Sequence, residues 1–105
     1  MRIETPEPFY KLKMIPESPA DFHEAIESLC DDYGCLVTIS GDSRFFGIEH
    51  TDTGFRIFEN VERRDYWREN YSSLTEMLEK CRHFGDVPLS RHLGKIAIQP
   101  ICDCA

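Results

Sequence analysis

Residues 35–69 read CLVTISGDSRFFGIEHTDTGFRIFENVERRDYWRE, and the fold turns on how this stretch divides. Cys35 to Ser40 is rich in β-formers and ends at the turn residues Gly41-Asp42-Ser43. Arg44 to Thr51 reads as a second strand. Asp52-Thr53-Gly54 then turns the chain into Phe55-Arg56-Ile57-Phe58-Glu59. Loops this short cannot carry a parallel crossover, so consecutive strands must pair as antiparallel hairpins. A further turn over Asn60–Arg63 makes Arg64 to Glu69 the fourth strand of a meander, although Val61 to Trp67 contains few aliphatic residues.

Helices flank the meander. Ser18-Pro19-Ala20-Asp21 starts the first, with Ser18 as cap, Pro19 where no N–H is needed, and Asp21 completing a capping box. Phe22, Ala25, Ile26, Leu29 and Cys30 form one apolar stripe, and Gly34 can end the helix. Ser73-Leu74-Thr75-Glu76 starts the second, whose stripe is Leu74, Met77, Leu78 and Cys81, with Gly85 beyond it. Val87 to Leu93 suits a further helical turn. Tyr10, Leu12 and Met14 alternate with Lys11 and Lys13, which predicts a strand at a sheet edge, and Lys95 to Gln99 reads as a short apolar strand. The prediction is a small α+β domain over residues 1–105. Two main helices cover one face of a three- to four-stranded antiparallel meander, and the termini add edge strands. Residues 1–8 read as an extended arm and residues 100–105 as a loose tail.

Composition narrows the functional classes. The 105 residues carry 12 Lys and Arg against 19 Asp and Glu, a formal net charge of −7, with 41% hydrophobic residues. No apolar run reaches the ~18–20 residues of a membrane span. The excess of acid argues against a protein that holds nucleic acid by its overall charge. The N-terminus lacks the basic start and apolar stretch of a secretory signal, and five cysteines are an odd number, so free thiols in the cytoplasm are expected.

The charge is unevenly spread. Residues 1–34 hold 3 basic and 8 acidic side chains and residues 35–59 hold 2 and 4; residues 60–84 balance at 5 and 5, and residues 85–105 at 2 and 2. Asp21, Glu24, Glu27, Asp31 and Asp32 decorate the first helix opposite its apolar stripe, an arrangement able to steer a basic partner. In the fourth strand, Arg64, Tyr66, Trp67 and Arg68 are residue types enriched at binding hot spots. Period two puts Tyr66 with the arginines 64 and 68, and Trp67 on the other side. The interleaved Asp65 and Glu69 disfavour nucleic acid there.

Other chemistry is thinly supported. Cys81-x-His83 and Cys102-x-Cys104 supply metal-ligand atoms, but each pair has a single intervening residue where structural zinc sites use two to four. No metal or cofactor is expected. His50-Thr51-Asp52 brings an imidazole near a carboxylate at a turn, without an assembled nucleophile and oxyanion site. The order helix, three strands, helix resembles that of double-stranded RNA-binding domains in element order alone; the segment after the strands lacks the basic cluster such domains set against phosphates, and no residue is carried over. In size and charge the chain is similar to accessory and inhibitor proteins of bacterial mobile elements, an analogy that extends to no motif.

The expected function is a non-catalytic protein-binding or regulatory module for a protein with a basic surface. It would act as a monomer, or as a homodimer through the Tyr10–Met14 edge. The alternatives are a small-ligand or metal-binding domain using the Cys and His residues, and an enzyme with a composite site around His50 and Asp52.

Overall fold

Four consecutive strands form the meander: β3 (Cys35–Ile39), β4 (Phe46–Thr51), β5 (Gly54–Val61) and β6 (Arg64–Tyr71). They are seen in a computed structural model that describes residues 1–4, 12–29 and 34–101. β4 starts later than the sequence suggests because Asp42 folds the preceding loop. Its backbone N–H donates to the Ile39 carbonyl (2.9 Å) and its carboxylate accepts from the Arg44 N–H (2.9 Å), an Asx-type turn. The β5–β6 hairpin closes on Glu62-Arg63, both at positive φ (52° and 68°). That mirror-image turn matches the twist of a hairpin but normally calls for Asn-Gly, so the composition conceals it.

The meander is only part of the sheet. β7 (Ile96–Pro100), β2 (Lys13–Ile15) and β1 (Arg2–Glu4) add to the free side of β3, giving among the described residues seven antiparallel strands in the order β1-β2-β7-β3-β4-β5-β6. Three to four strands was therefore an underestimate. The reason is non-local: β3 is buried on its Cys35, Val37 and Ile39 face and must be paired on both sides, and β7 fills the place from Cys35↔Pro100 to Ile39↔Ile96. Lys13–Ile15, expected at an edge, has β1 on one side and β7 on the other. Over these residues no edge is free for a homodimer, and Tyr10 and Lys11 lie outside the described residues. Among the described residues the edges are β1 and β6.

Both helices start as their sequences require. At α1 (Pro19–Leu29) the Ser18 hydroxyl accepts from the Asp21 N–H (3.2 Å), and Asp21 reaches back to the Glu17 N–H (3.2 Å). At α2 (Leu74–Lys80) Ser73 accepts from the Glu76 N–H (3.1 Å), and Glu76 accepts from the Ser72 N–H (3.0 Å). α1 packs against β2 and β7, α2 against β5 and β6, and the helices touch each other. Phe22, Ala25 and Ile26 of α1 and Leu74, Met77 and Leu78 of α2 share one core with Val37, Phe46, Ile48, Ile57, Ile96 and Ile98. Each large side chain buried here contributes roughly 1.5–3 kcal/mol before chain entropy is charged. Across the meander a polar ladder runs over β4, β5 and β6: Arg56 donates to Glu49 (2.8 Å) and to Asn70 (3.0 Å).

Candidate functional site

β6 is an edge strand with two different faces. Glu59 pairs with Trp67, Ile57 with Glu69 and Phe55 with Tyr71, so Trp67, Glu69 and Tyr71 share the core side. Trp67 packs against the core, with its ring 5.9 Å from Phe46 and 6.0 Å from Phe84. The imidazole of His83, from the segment after α2, lies flat on the indole at 3.9 Å with an 8° tilt. The indole N–H donates to Glu59 (3.1 Å), a carboxylate only 4% exposed. Arg44 stands 3.7 Å from the other Glu59 oxygen, bonds Asp42 through two nitrogens, and lies 5.3 Å from the Phe46 ring centre.

The pairing steps between Glu59 and Asn60: Asn60 faces Asp65 rather than Tyr66. Tyr66 is thus the extra residue of a β-bulge, and it is 74% exposed. Arg64, Asp65 and Arg68 are also exposed. Asp65 accepts from Asn60 (3.0 Å) and lies 3.6 Å from Arg68, while Arg64 makes no ion pair among the described residues.

Below Trp67, Glu69 holds a second network. It lies 2.8 Å from His83 Nε2 and accepts from the Tyr71 hydroxyl. Burial would raise the Glu69 carboxyl, but Tyr71 and His83 outweigh it and hold it below its ordinary value. Burial, reinforced by the bond to Glu69, pushes the Tyr71 phenol far above its ordinary value, so Tyr71 stays a donor. Burial likewise raises the Cys81 thiol, which is the state of a packing residue and not of a nucleophile. Because the Glu69 carboxyl is depressed in the fold, its contribution to stability is complete above the ordinary 4.5 and is lost as pH falls through the lower folded value. Glu69→Gln is therefore expected to flatten the acid limb of stability below about pH 4.5 relative to wild type. Urea unfolding followed by the fluorescence of Trp67, the single tryptophan, measures it. An identical acid limb in both proteins would refute the assignment.

The other sequence candidates are dispersed. On α1, Glu24 and Glu27 are exposed and make no ion pair among the described residues. Asp21 is occupied by the helix start and by the N-terminal amine (3.2 Å). Asp31 and Asp32 lie outside the described residues. Since α1 sits over β2 and β7 while β6 is the far edge, the acidic helix and the arginine strand occupy separate parts of the molecule. Cys81 is buried, Cys102 and Cys104 lie outside the described residues, and the described residues hold no cluster of His, Cys, Asp and Glu able to bind a metal. His50 stacks on Phe55 (4.3 Å). Neither it nor Asp52 lines either of two open clefts. One cleft, about 490 Å³, lies among Ser40, Asp42, Arg44, Phe84, Gly85 and His92; the other, about 480 Å³, lies beside β1, β2 and β7. His92 Nε2 is bonded to the Phe84 carbonyl (2.6 Å). Among the described residues no helix is long and apolar enough to cross a membrane.

Sequence reasoning missed Glu59 and Arg44, and it named His83 only as a metal-ligand candidate, not as the ring over Trp67. One signal was available: alternation along Phe55, Ile57 and Glu59 puts an acid on an apolar face, where it needs a donor from the next strand. Comparison with protein-family models, with curated proteins and with solved structures found no match.

Proposed function

We propose that this chain is a non-catalytic protein-binding module whose binding element is the β6 edge. The observation that carries this reading is Tyr66, 74% exposed at a bulge on an edge strand, beside exposed Arg64 and Arg68. Tyrosine and arginine are among the residue types enriched at interface hot spots. A bulge re-aims a side chain, and an unpaired edge offers backbone donors and acceptors to an extended partner. Trp67, packed under His83 and bonded to Glu59, anchors this strand to the core from its helix side.

A second reading rests on Glu24 and Glu27, exposed and unpaired among the described residues, which suit a partner with a basic surface. A photo-crosslinking residue placed at 66 and, separately, at 24 separates the two. Crosslinks to a partner from 66, together with a loss of about tenfold or more in affinity for Tyr66→Ala with Arg68→Ala, are expected. Crosslinks from 24 alone would move the binding surface to α1, and none from either position would remove the proposal.

A further inference from the structure

Taking β6 as the binding element, we infer that its partner is a second copy of the same strand, paired antiparallel about a twofold axis through Trp67.

The argument is one of register. In a twofold antiparallel pair, residues directly opposite each other must point to the same face of the joined sheet. Along β6 the faces are set by the pairing with β5. Trp67 and Glu69 are on the helix side, opposite Glu59 and Ile57. Arg68 is on the open side, opposite Phe58, and so is Asp65, which faces Asn60 and bonds it. Arg64, one step further, returns to the helix side. The bulge makes Asp65 and Tyr66 share a single step of the ladder.

Centring the axis on Trp67 then sets Arg68 opposite the partner's Asp65–Tyr66 step, and Glu69 opposite the partner's Arg64. Both pairs are face-matched, each joins an arginine to an acid, and symmetry gives each twice. Arg64, which makes no ion pair among the described residues, acquires one. Every neighbouring face-matched register is worse. Moving the centre one step toward the C-terminus opposes Arg68 to itself, two steps opposes Glu69 to itself, and one step the other way opposes Asp65 to itself. The bulge is decisive, because without it the same centre would set Asp65 against the partner's Glu69, two acids. Like charges directly opposite one another disfavour a register and opposite charges favour it. A strand of alternating charges usually blunts an edge against chance pairing; here the order of the charges fits one partner, itself.

Sedimentation of the full chain across the micromolar range tests this. The expected result is a shift from the 12.2 kDa of one chain toward twice that mass. Asp65→Arg alone and Arg68→Asp alone each set like charges across the axis twice per dimer and should weaken association about tenfold or more. Mixing the two single variants restores opposite charges at both positions in a heterodimer, while the Asp65–Arg68 contact within each chain stays broken. Recovery of the dimer on mixing therefore reports the contact between chains. Circular dichroism checks that both variants fold. A wild type that stays at one chain mass, or two variants that do not recover on mixing, overturns the inference. A monomeric wild type that still crosslinks to a different protein from position 66 overturns it too, while leaving the protein-binding reading standing.

Discussion

Trp67→Ala is expected to lower the unfolding free energy by about 3–5 kcal/mol, whereas Tyr66→Ala, its immediate neighbour, should change it by less than about 0.5 kcal/mol. Urea denaturation followed by circular dichroism measures both. The contrast comes from what each ring touches. Tyr66 projects into solvent, while the Trp67 indole lies against Phe46 and Phe84 beneath the His83 ring. Its removal opens a cavity and takes the N–H donor from Glu59, whose carboxylate is almost wholly excluded from water. Arg44 remains near the other carboxylate oxygen but does not replace that donor. Trp67→Phe separates the two losses: the packing largely stays and the hydrogen bond goes, for about 1.5–3 kcal/mol, the range for a bond to a charged group. A Trp67→Phe protein as stable as wild type would show that the Glu59 bond contributes nothing.

Gly54→Ala is the second large effect, expected at about 2–5 kcal/mol by the same measurement. Gly54 opens β5 at φ +155°, and a Cβ there would lie 2.2 Å from the Tyr71 carbonyl oxygen and 2.8 Å from the Ser72 Cα. Both are backbone atoms, held by the β5–β6 pairing and the start of α2, so neither can swing aside. Gly41→Ala is the control. Its φ is +83° with nothing within 4 Å of the added carbon, so it should cost only the ~1–2 kcal/mol of a left-handed L-residue. Equal losses at the two glycines would mean that the close approach at Gly54 relaxes without penalty.

The legible parts of the fold were those governed by neighbours in sequence. The turns at Gly41-Asp42-Ser43 and Asp52-Thr53-Gly54 and the Ser-x-x-Asp and Ser-x-x-Glu helix starts each depend on residues within four positions. The place of β7 depends on a need of β3 some sixty residues earlier, which no local pattern reports. The same holds for β2, whose lysines looked like edge residues until β1 was set outside it. At the candidate site, alternation alone separated Trp67 from Tyr66 but did not tell which face was the core. The bulge at Tyr66 is a misfit between two strands and so belongs to the pair, not to either sequence. His83 reaches Trp67 only because α2 ends over β6, a matter of helix length and packing.

The strand that joins the two halves of the sheet, β7, is also the last of the seven to leave the ribosome. Until Ile96–Pro100 has emerged, β1 and β2 have no route into the sheet except through α1, and the β3 flank facing them is bare. The meander and α2 can form during synthesis from local contacts, but closure of the sheet must wait for a long-range pairing, the slow kind. The nascent chain therefore keeps one flank of β3 bare until β7 pairs with it, so the growing protein is vulnerable to aggregation at a strand whose Cys35, Val37 and Ile39 the folded molecule buries.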